Sequence, residues 1–590
     1  MASSHGLVTI CSILLASLKE SAFLRAPSAA TPERYRFLDC KAFVEQQLLR
    51  IYETAELSGL SYSAVSYVWR GNVPENPRPE DTFFHVEGTI NDKDTTKDRP
   101  DPISLSVLRH ACTASIQQDC NLLWLDRLCI LQSNREDKKW QIKNMYDVYK
   151  NCKSCIVLPG GLRCIVPLQT ATAWIHRSWT LQESLAPQKT LVLFAWSNGP
   201  GAILAGDEHH EIAEVVSAES AVSSLPAIVD GCTQGHLEFQ PHPADWAKSG
   251  RRVSCRILGS QTPNVLALGA ALSETLAQDP DARYSSIWQC ALMRTSSRPV
   301  DMVLSIMGIF GVSLDPGAFD ENDRLRATVA LAREILSRGG RACWLGVSLT
   351  LPLSDEISTF PEFPETTVQG TAMVNTSAGM KEVAEMMEGC YPNSLGLRMA
   401  LPQGTMDERG TLTAAFKFAR AEPVGIPEGR DALPYHMRDL SDPPVKPRSV
   451  LLGLMQPKEG QKGGDSQEHC SMFSTIGCQD QTSQHSQYSG VEGKVLVRCG
   501  DAKSFVLSEE VDQGLDGQAS GTFALIFGWF NEYYPGASTA TNRNNIRGML
   551  VRDHAPGQFH AISFFSLDRK WRDWAMSLDS REFRIGGANP

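Results

Sequence analysis

The densest group of chemically capable side chains lies in "WIHRSWTLQESLAP", residues 174–187. On a helix, Trp179 and Glu183 are one turn apart and project on the same side. A carboxylate can stabilise a developing positive charge, and an indole can stack on a flat ring or form the wall of a crevice. We therefore take Glu183 as the candidate catalytic residue and Trp179 as a candidate substrate contact.

The same stretch also fits a purely structural role. Three of its apolar residues recur on one helical face, as packing against a sheet requires: Trp174, Leu181 and Leu185. Arg177 is too far from Glu183 for an i, i+4 pair, but it could anchor Asp126 or a strand-end carbonyl in a buried interaction. Carboxylates with perturbed pKa values serve catalysis and structure alike, so both roles of Glu183 stay open.

The elements that must position these residues follow from an alternating pattern between residues 35 and 200. Apolar runs typical of buried strands occupy residues 62–69, 122–130, 154–158 and 190–196. Helical periodicity separates them, with helix starts predicted at Asp101-Pro102 and at the capping box Ser133-x-x-Glu136, and a third helix over 174–187. Such alternation favours parallel pairing through right-handed crossovers. The segment therefore predicts an α/β domain with a parallel sheet and flanking helices.

In open sheets of this kind, ligands bind just beyond the carboxyl ends of the strands. That rule selects Trp69-Arg70-Gly71, Gln132-Ser133 and Gly160-Gly161, because each follows a predicted strand. We expect the loop tip at Arg70 to contact a ligand. Cys129 lies inside an apolar run, so we expect a buried, inert thiol there.

Three short blocks of this region occur in a fixed order: "SYVWRG" at 66–71, "LWLDRLCILQ" at 123–132 and "HRSWTLQE" at 176–183. They resemble the three signature blocks of the fungal heterokaryon incompatibility (HET) domain. In the first block, Arg70 stands between a tryptophan and a glycine that are usually adjacent. The segment 297–312, "SRPVDMVLSIMGIFGV", is also similar to a segment common in these proteins. The matching residues are Ser66, Tyr67, Trp69, Gly71, Asp126, Cys129, Ile130, Gln132, Arg177, Trp179, Thr180, Gln182 and Glu183.

The resemblance implies a fold similar to the TIR domain, a flavodoxin-like sheet, and a role in non-self recognition and regulated cell death. Some TIR domains cleave NAD at the nicotinamide–ribose bond with one glutamate on the helix after the third strand, the topological position of Glu183. Because nicotinamide departs neutral, this reaction needs no acid, only stabilisation of an oxocarbenium-like ribose. NAD is thus the candidate substrate, and no cofactor is required. The candidate substrate contacts are Trp179, Arg70, Asp126, Arg177 and Gln182. The alternative is a non-catalytic signalling module that acts through partner recruitment.

The rest of the chain divides by composition and periodicity. Leu7, Ile10, Leu14 and Leu18 recur at helical spacing. Amphipathic helices are predicted at 207–216 and at 323–339, the second closed by Gly339-Gly340. Short strand candidates separated by turn residues begin near residue 401, one of them at 449–455. The predicted organisation is 1–34, an amino-terminal helix or extension; 35–200, the HET (TIR-like) domain; 201–350, a mainly helical region packed on it; 351–400, a linker with loops; and 401–590, a β-rich domain with a flexible insertion at about 457–493.

Charge and cysteine usage exclude several classes of function. Among 590 residues, 56 Lys and Arg stand against 67 Asp and Glu, and the net charge of −11 argues against nucleic-acid binding. No apolar run is long enough for a membrane span. The sixteen scattered cysteines favour a reducing compartment, hence a cytoplasmic location. A single CxxC at Cys152 and Cys155 predicts no metal site, and P-loop, Rossmann and zinc-protease motifs are absent. From the resemblance, we expect self-association or another incompatibility protein as partner.

Overall fold

The described part of the chain is large but not continuous. None of its helices is long and apolar enough to cross a membrane. In the computed structural model, the described residues are 6–20, 23–25, 29–74, 82–89, 100–205, 208–242, 250–273, 280–348, 350–367, 370–387, 401–423, 494–498, 504–508, 521–532, 543–567 and 571–588.

The first 200 residues supply most of a large central sheet and a small three-stranded sheet. Their strands are β1 (Val8–Leu14), β2 (Phe23–Leu24), β3 (Tyr35–Asp39), β4 (Leu48–Thr54), β5 (Tyr62–Tyr67), β6 (Phe83–Val86), β7 (Ile103–Ser104), β8 (Leu122–Trp124), β9 (Ser154–Leu158) and β10 (Thr190–Ala195). Their helices are α1 (Leu15–Glu20), α2 (Cys40–Glu45), α3 (Leu105–Gln117), α4 (Asp126–Cys129), α5 (Arg135–Asn151) and α6 (Thr180–Leu185). Strands β2, β6 and β7 form the small sheet.

Four parallel strands form the centre of the large sheet. Strand β5 pairs in parallel with β8 and β9, and β9 pairs in parallel with β10. Across the sheet these strands are arranged in the order β8-β5-β9-β10. Numbered by their order in the chain, they read 2-1-3-4, which is the flavodoxin-like order. The predicted α/β arrangement is therefore confirmed at the centre of the sheet, while the likeness to the TIR domain stays a prediction.

Antiparallel strands extend both edges, so the complete sheet is mixed rather than parallel as predicted. On the β8 side the order continues β3, β4, β1. On the β10 side the order is β13-β12-β11-β14-β15, and the whole sheet has twelve strands. These edge strands are β11 (Gly201–Ala205), β12 (Glu208–Val216), β13 (Ser220–Ser224), β14 (His236–Pro241) and β15 (Arg251–Ser254).

Two serines on β5 show which helices cover which face. Successive side chains on a strand point to opposite faces, so Ser63 and Ser66 face opposite ways. The Ser63 hydroxyl lies 2.9 Å from the hydroxyl of Ser115 on α3. The Ser66 hydroxyl reaches Glu183 on α6. Helices α3 and α6 therefore cover opposite faces of the central sheet.

Two predicted elements near the motif blocks are wrong in extent. The predicted strand 122–130 ends at Trp124, because the Asp126 carboxylate accepts from the Arg127 amide at 2.6 Å and the chain turns into α4. The stretch 174–187 is not one helix, since an extended Arg177 bridges to Thr295 between a 3-10 turn and α6. Trp174 therefore does not share a helical face with Leu181 and Leu185.

The predicted helix starts also shift. Ser104, not Asp101, caps α3, with its hydroxyl accepting from the Val107 amide at 3.3 Å. Asn134, not Ser133, caps α5 through the amide of Asp137. Asp101 instead accepts from the Gly71 amide at 2.7 Å, so its carboxylate serves the loop after β5.

Two further predictions of helix are corrected by pairing along the sheet. Residues 8–14 form strand β1 on β4, and only Leu15–Glu20 are helical. The predicted amphipathic helix around 207–216 is strand β12, because pairing with β11 and β13 buries Ile212. The spacing of apolar residues there fits both a helix and a strand. Pairing with strands distant in sequence therefore determines that the segment is a strand.

In the predicted helical region 201–350, α7 (Leu225–Gln234) precedes β14, and helices dominate only after β15. The helices after β15 are α8 (Pro263–Leu272), α9 (Pro280–Leu292), α10 (Asp301–Met307) and α11 (Arg324–Ser337). The predicted helix ending at Gly339 is confirmed as α11. Gly339 has φ +80, the left-handed conformation that ends a helix without a steric penalty.

The carboxyl-terminal part is β-rich, as predicted. A hairpin, β16 (Met373–Thr376) with β17 (Gly379–Glu382), lies within the predicted linker. The following elements are β18 (Gly404–Met406), β19 (Leu412–Pro423), β20 (Lys494–Arg498), β21 (Ser504–Ser508), β22 (Thr522–Glu532), β23 (Arg543–Ala555), β24 (Gln558–Leu567), α12 (Arg572–Ser577) and β25 (Ser580–Ile585). The predicted strand at 449–455 and the insertion at 457–493 lie outside the described residues.

Five of these strands close on themselves. The pairing runs β19-β22-β23-β24-β25 and returns from β25 to β19. Phenylalanines of these strands pack together in its interior: Phe416, Phe418, Phe523, Phe559 and Phe583. Closure buries these rings and removes sheet edges from this part of the strand arrangement.

Candidate functional site around Glu183

Glu183 lies in the first turn of α6 and points at the central sheet. Its amide donates to the Trp179 carbonyl, so the two residues are one turn apart, as predicted. The Ser66 hydroxyl donates to the Glu183 carboxyl at 2.5 Å and accepts from the Trp174 indole at 2.9 Å. The side chains thus form a directed chain from Trp174 through Ser66 to Glu183. Glu183 is only 7% exposed.

Burial controls the protonation of Glu183. Desolvation raises the pKa of the carboxyl to about 8, against opposing contributions from the Ser66 hydrogen bond and the Arg177 charge. The negative charge of Asp126 adds to the increase, while Tyr149 lowers the pKa slightly. The carboxyl is therefore mainly protonated at neutral pH. A neutral carboxyl keeps its hydrogen bond to Ser66 but offers no charge to a cationic ribose.

Asp126 is the second carboxylate of the site and joins the first two motif blocks. It accepts from the Tyr67 hydroxyl at 2.5 Å and from the Trp69 indole at 3.1 Å. The Gln132 side chain donates to the Asp126 backbone carbonyl at 2.9 Å. These block residues therefore build one network, and they hold α4 against the end of β5.

Arg177 lies near the Trp69 ring and near the carboxyl groups of Glu183 and Asp301. Its guanidinium lies over the Trp69 ring, 5.6 Å from the centroid, where a cation–π interaction is favourable. Its charge lowers the pKa of Glu183 and of Asp301 on α10, while burial raises the pKa of Asp301 as the larger effect. A hydrogen bond from Trp179 also favours the charged form of Asp301. Arg177 thus provides positive charge near two buried carboxyl groups.

Residues 294–301, here called the strap, run across the start of α6. The Ser178 amide donates to the Thr295 carbonyl at 2.9 Å, and the Thr295 amide donates to the His176 carbonyl at 2.7 Å. The Arg294 guanidinium donates to the Thr180 hydroxyl at 2.6 Å. Burial lowers the pKa of Arg294 to about 10 and, together with the Arg294 charge, the pKa of His176 to about 4. The strap therefore contributes to the burial of this site.

Sequence reasoning missed the strap and the partners of Glu183 on other elements. The sequence pattern predicts only a packing role for Trp174, whereas its indole donates to Ser66. Tyr149 of α5 and Asp301 carried no local signal, because their roles arise from contacts distant in sequence. The similarity of 297–312 to a recurrent segment was the one sequence signal that pointed towards Asp301.

The remaining predicted site residues lie around this network. Arg70 is half-buried in the loop after β5. Gln182 is buried, and its amide nitrogen has no hydrogen-bond partner within the described ranges. The Cys129 thiol accepts from the Leu125 amide at 3.4 Å, and burial raises its pKa to about 12, which suits the predicted inert thiol. Among the described residues, no group of three or more metal-ligating side chains comes together.

The loops after β5 and β9 touch through glycines. The Asn72 amide donates to the Gly160 carbonyl at 2.9 Å. A Cβ on Gly71 would lie 1.9 Å from the Gly160 carbonyl oxygen, so only glycine allows this approach. Gly161 has φ +84, which also favours glycine. The crevice expected between the carboxyl ends of these neighbouring strands is therefore filled by backbone contact.

Comparison with family models gave a match to part of the chain. Residues 62–164 match the family model described as "Heterokaryon incompatibility protein (HET)". This part of the chain is similar to the HET domain. The match contains the first two motif blocks, with Ser66 and Asp126, and ends before Glu183. The domain indicates a heterokaryon incompatibility-type function. No curated protein and no solved structure matches the chain.

Proposed function

We propose that this HET-domain protein acts in fungal non-self recognition, where contact between genetically different cells triggers regulated cell death. Its HET domain signals by self-association or by recruiting another incompatibility protein. The similarity of residues 62–164 to the HET family supports this function. The burial of Glu183, whose carboxyl accepts a hydrogen bond from Ser66 and whose pKa is raised by desolvation to about 8, favours signalling over catalysis. Such a group suits the attachment of α6 to the sheet better than the stabilisation of a cation.

A second candidate function is cleavage of NAD by the same domain. It is favoured by the pKa of Glu183, which lies near neutrality with Arg177 close by, as in many catalytic carboxyls. This reaction requires the strap to move away, so that Glu183 ionises and reaches the ribose. The candidate substrate contacts remain Trp179, Arg70, Asp126, Arg177 and Gln182. NAD is the substrate, and no other cofactor enters the reaction.

Both candidates place the protein in the cytoplasm. The cysteines within the described ranges are free thiols, most of them buried. Free thiols fit a reducing compartment. Neither candidate involves nucleic acid or a membrane span.

Expression of the wild type, Glu183→Gln and Glu183→Ala in a fungal host tests these functions, with NAD content and viability measured together. Glutamine reproduces the shape and the neutral charge of a protonated glutamate but cannot ionise. The signalling function predicts cell death without a fall in NAD, and Glu183→Gln remains toxic. Glu183→Ala loses toxicity only to the extent that it loses folded protein, which circular dichroism and soluble yield report.

The opposite pattern contradicts the signalling function. NAD that falls with the wild type, but not with folded Glu183→Gln, establishes the catalytic alternative. An Arg333→Ala variant serves as a control, because Arg333 is 43% exposed on α11 and pairs only weakly with Glu408 at 3.7 Å.

A further inference from the structure

A cleft of about 710 Å³ lies on the face of the sheet that α3 covers, away from Glu183. Its walls come from the start of α3, the loop after β9, the carboxyl end of β10, the β12–β13 turn and strand β15. The residues that matter here are His110, Arg163, Trp196, Glu219, Arg251 and Arg252. This volume falls in the range of small-molecule sites, and the position satisfies the strand-end rule for ligands.

Several arginines come together in this cleft of an acidic protein. Three arginines and one glutamate line it, whereas the whole chain carries a net charge of −11. Glu219 lies 3.7 Å from His110, so its carboxylate is directed at the histidine. Arg252 lies 3.9 Å from Glu238 and Arg163 lies 3.5 Å from Asp101. Arg251, whose partner Asn198 is neutral, is therefore the arginine of this cleft whose charge a bound anion would experience most strongly.

The arginines keep donors available. Arg251 donates to the neutral Asn198 side chain at 2.9 Å, so its charge is not compensated there. Arg163 lies 3.5 Å from Asp101 through one terminal nitrogen, and its side chain is 30% exposed. A guanidinium carries five N–H donors in a planar fork that matches a phosphate group. Arg163 and Arg251 therefore retain capacity for a phosphate.

One wall of the cleft is apolar and rigid. Trp196 donates through its indole to the Gly199 carbonyl at 2.7 Å, and its ring packs edge-on against Phe194 and Phe239. Ile165 and Val253 add aliphatic surface. An apolar wall beside arginines suits a ligand that combines a flat heterocycle with phosphate.

We propose that this cleft binds a nucleoside phosphate. Arg163 and Arg251 hold the phosphate, and the base lies along the wall that contains Trp196. The site is separate from Glu183, because α3 and α6 cover opposite faces of the sheet. The proposal therefore holds whether or not the HET domain cleaves NAD.

Calorimetric titration of the full-length chain with ADP at low ionic strength tests the proposal. The double variant Arg163→Ala/Arg251→Ala is expected to bind ADP about tenfold or more weakly, since charge-assisted hydrogen bonds to the phosphate are lost. Arg333→Ala removes one exposed arginine outside the cleft, and we expect it to bind ADP like the wild type. Glu183→Gln is also expected to leave ADP binding unchanged, which separates this site from the HET-domain network.

Three results would overturn the proposal. One is the absence of ADP binding to the wild type, and another is equal binding by the double variant when circular dichroism shows both proteins folded. The third result would come from a titration with pyrophosphate, which carries the phosphates of ADP without the nucleoside. Pyrophosphate that binds as tightly as ADP would show that the cleft recognises phosphate without a nucleoside.

Discussion

At the scale of single residues, the site depends on one hydrogen-bonded chain from Trp174 through Ser66 to Glu183. The sequence indicated Glu183 as the central carboxyl and Ser66 as a motif residue, but it did not connect them. The connection needs β5 and α6 to pack together, and local spacing contains no information about that contact.

Ser66→Ala removes the hydroxyl that satisfies both Trp174 and Glu183. We expect a loss of roughly 1–3 kcal/mol in the free energy of unfolding, because two buried polar groups lose their partner. The pKa of Glu183 is expected to rise, since the Ser66 hydrogen bond lowers it. Urea denaturation and carboxyl titration measure the two effects.

Ser63→Ala is the matched control on the opposite face of β5. Its hydroxyl is also buried and lies 3.0 Å from that of Ser154. A similar loss of stability with an unchanged Glu183 titration is expected. A Glu183 titration that shifts equally in both variants would disprove the specific role of Ser66.

Stability should depend on pH through Glu183. Its folded pKa is raised from 4.5 to about 8, so the folded state holds a proton that the unfolded state releases. This contribution is complete below pH 4.5 and is lost as pH rises towards about 8, at roughly 1.4 kcal/mol per pH unit within the window. Glu183→Gln lacks it. The difference in unfolding free energy between the wild type and Glu183→Gln should therefore change with pH within this window. A difference that stays constant with pH would show that folding does not raise the pKa of Glu183.

At the scale of elements, the sequence predicted the mainly apolar strands that are buried along nearly their whole length, such as β5, β9 and β10, because such burial leaves a strong local pattern. The prediction was wrong where the choice between helix and strand depends on pairing with other strands. Residues 208–216 carry apolar positions that fit a helix or a strand, and only β11 and β13 select the strand. The strap was likewise not predicted as a contact of α6, since its hydrogen bonds join it to residues 176–180, which are distant in sequence.

Gly71→Ala tests the contact between the loops after β5 and β9. The added Cβ would clash with the Gly160 carbonyl, which is backbone and cannot rotate away. We expect a loss of roughly 1–3 kcal/mol from the forced backbone shift, measured by urea denaturation. Gly269→Ala in α8 is the control: its Cβ would meet Val229 at an ordinary 3.4 Å, and alanine favours a helix. Equal stability of Gly71→Ala and the wild type would contradict the close approach.

At the scale of the whole molecule, the closed β-strand arrangement of the carboxyl-terminal part packs against the rest of the chain. The Ser358 hydroxyl donates to the Gly586 carbonyl at 2.7 Å and accepts from the Ala561 amide at 2.9 Å. Arg547 donates to the Gly346 carbonyl from a buried position. The sequence predicted the β content of this part, but not its closure, because closure pairs β19 with β25 across most of the region.

Ser358→Ala should loosen this attachment. Loss of two buried hydrogen bonds predicts a decrease of roughly 1–3 kcal/mol and faster proteolysis between the two parts. Ser577→Ala removes a hydroxyl that bonds only locally, to the Trp574 carbonyl at 2.7 Å, and is expected to leave proteolysis unchanged. Identical proteolysis of wild type and Ser358→Ala would show that Ser358 does not join these parts.

The central claim is that Glu183 is protonated and structural in the folded protein. Infrared difference spectra of the wild type against Glu183→Gln, recorded from about pH 6 to about pH 9, test it directly. We predict a carboxylic acid band that is present in the wild type at neutral pH, disappears near the pKa of about 8, and is absent from the variant. A wild type whose Glu183 is already ionised at pH ~6 would contradict the account.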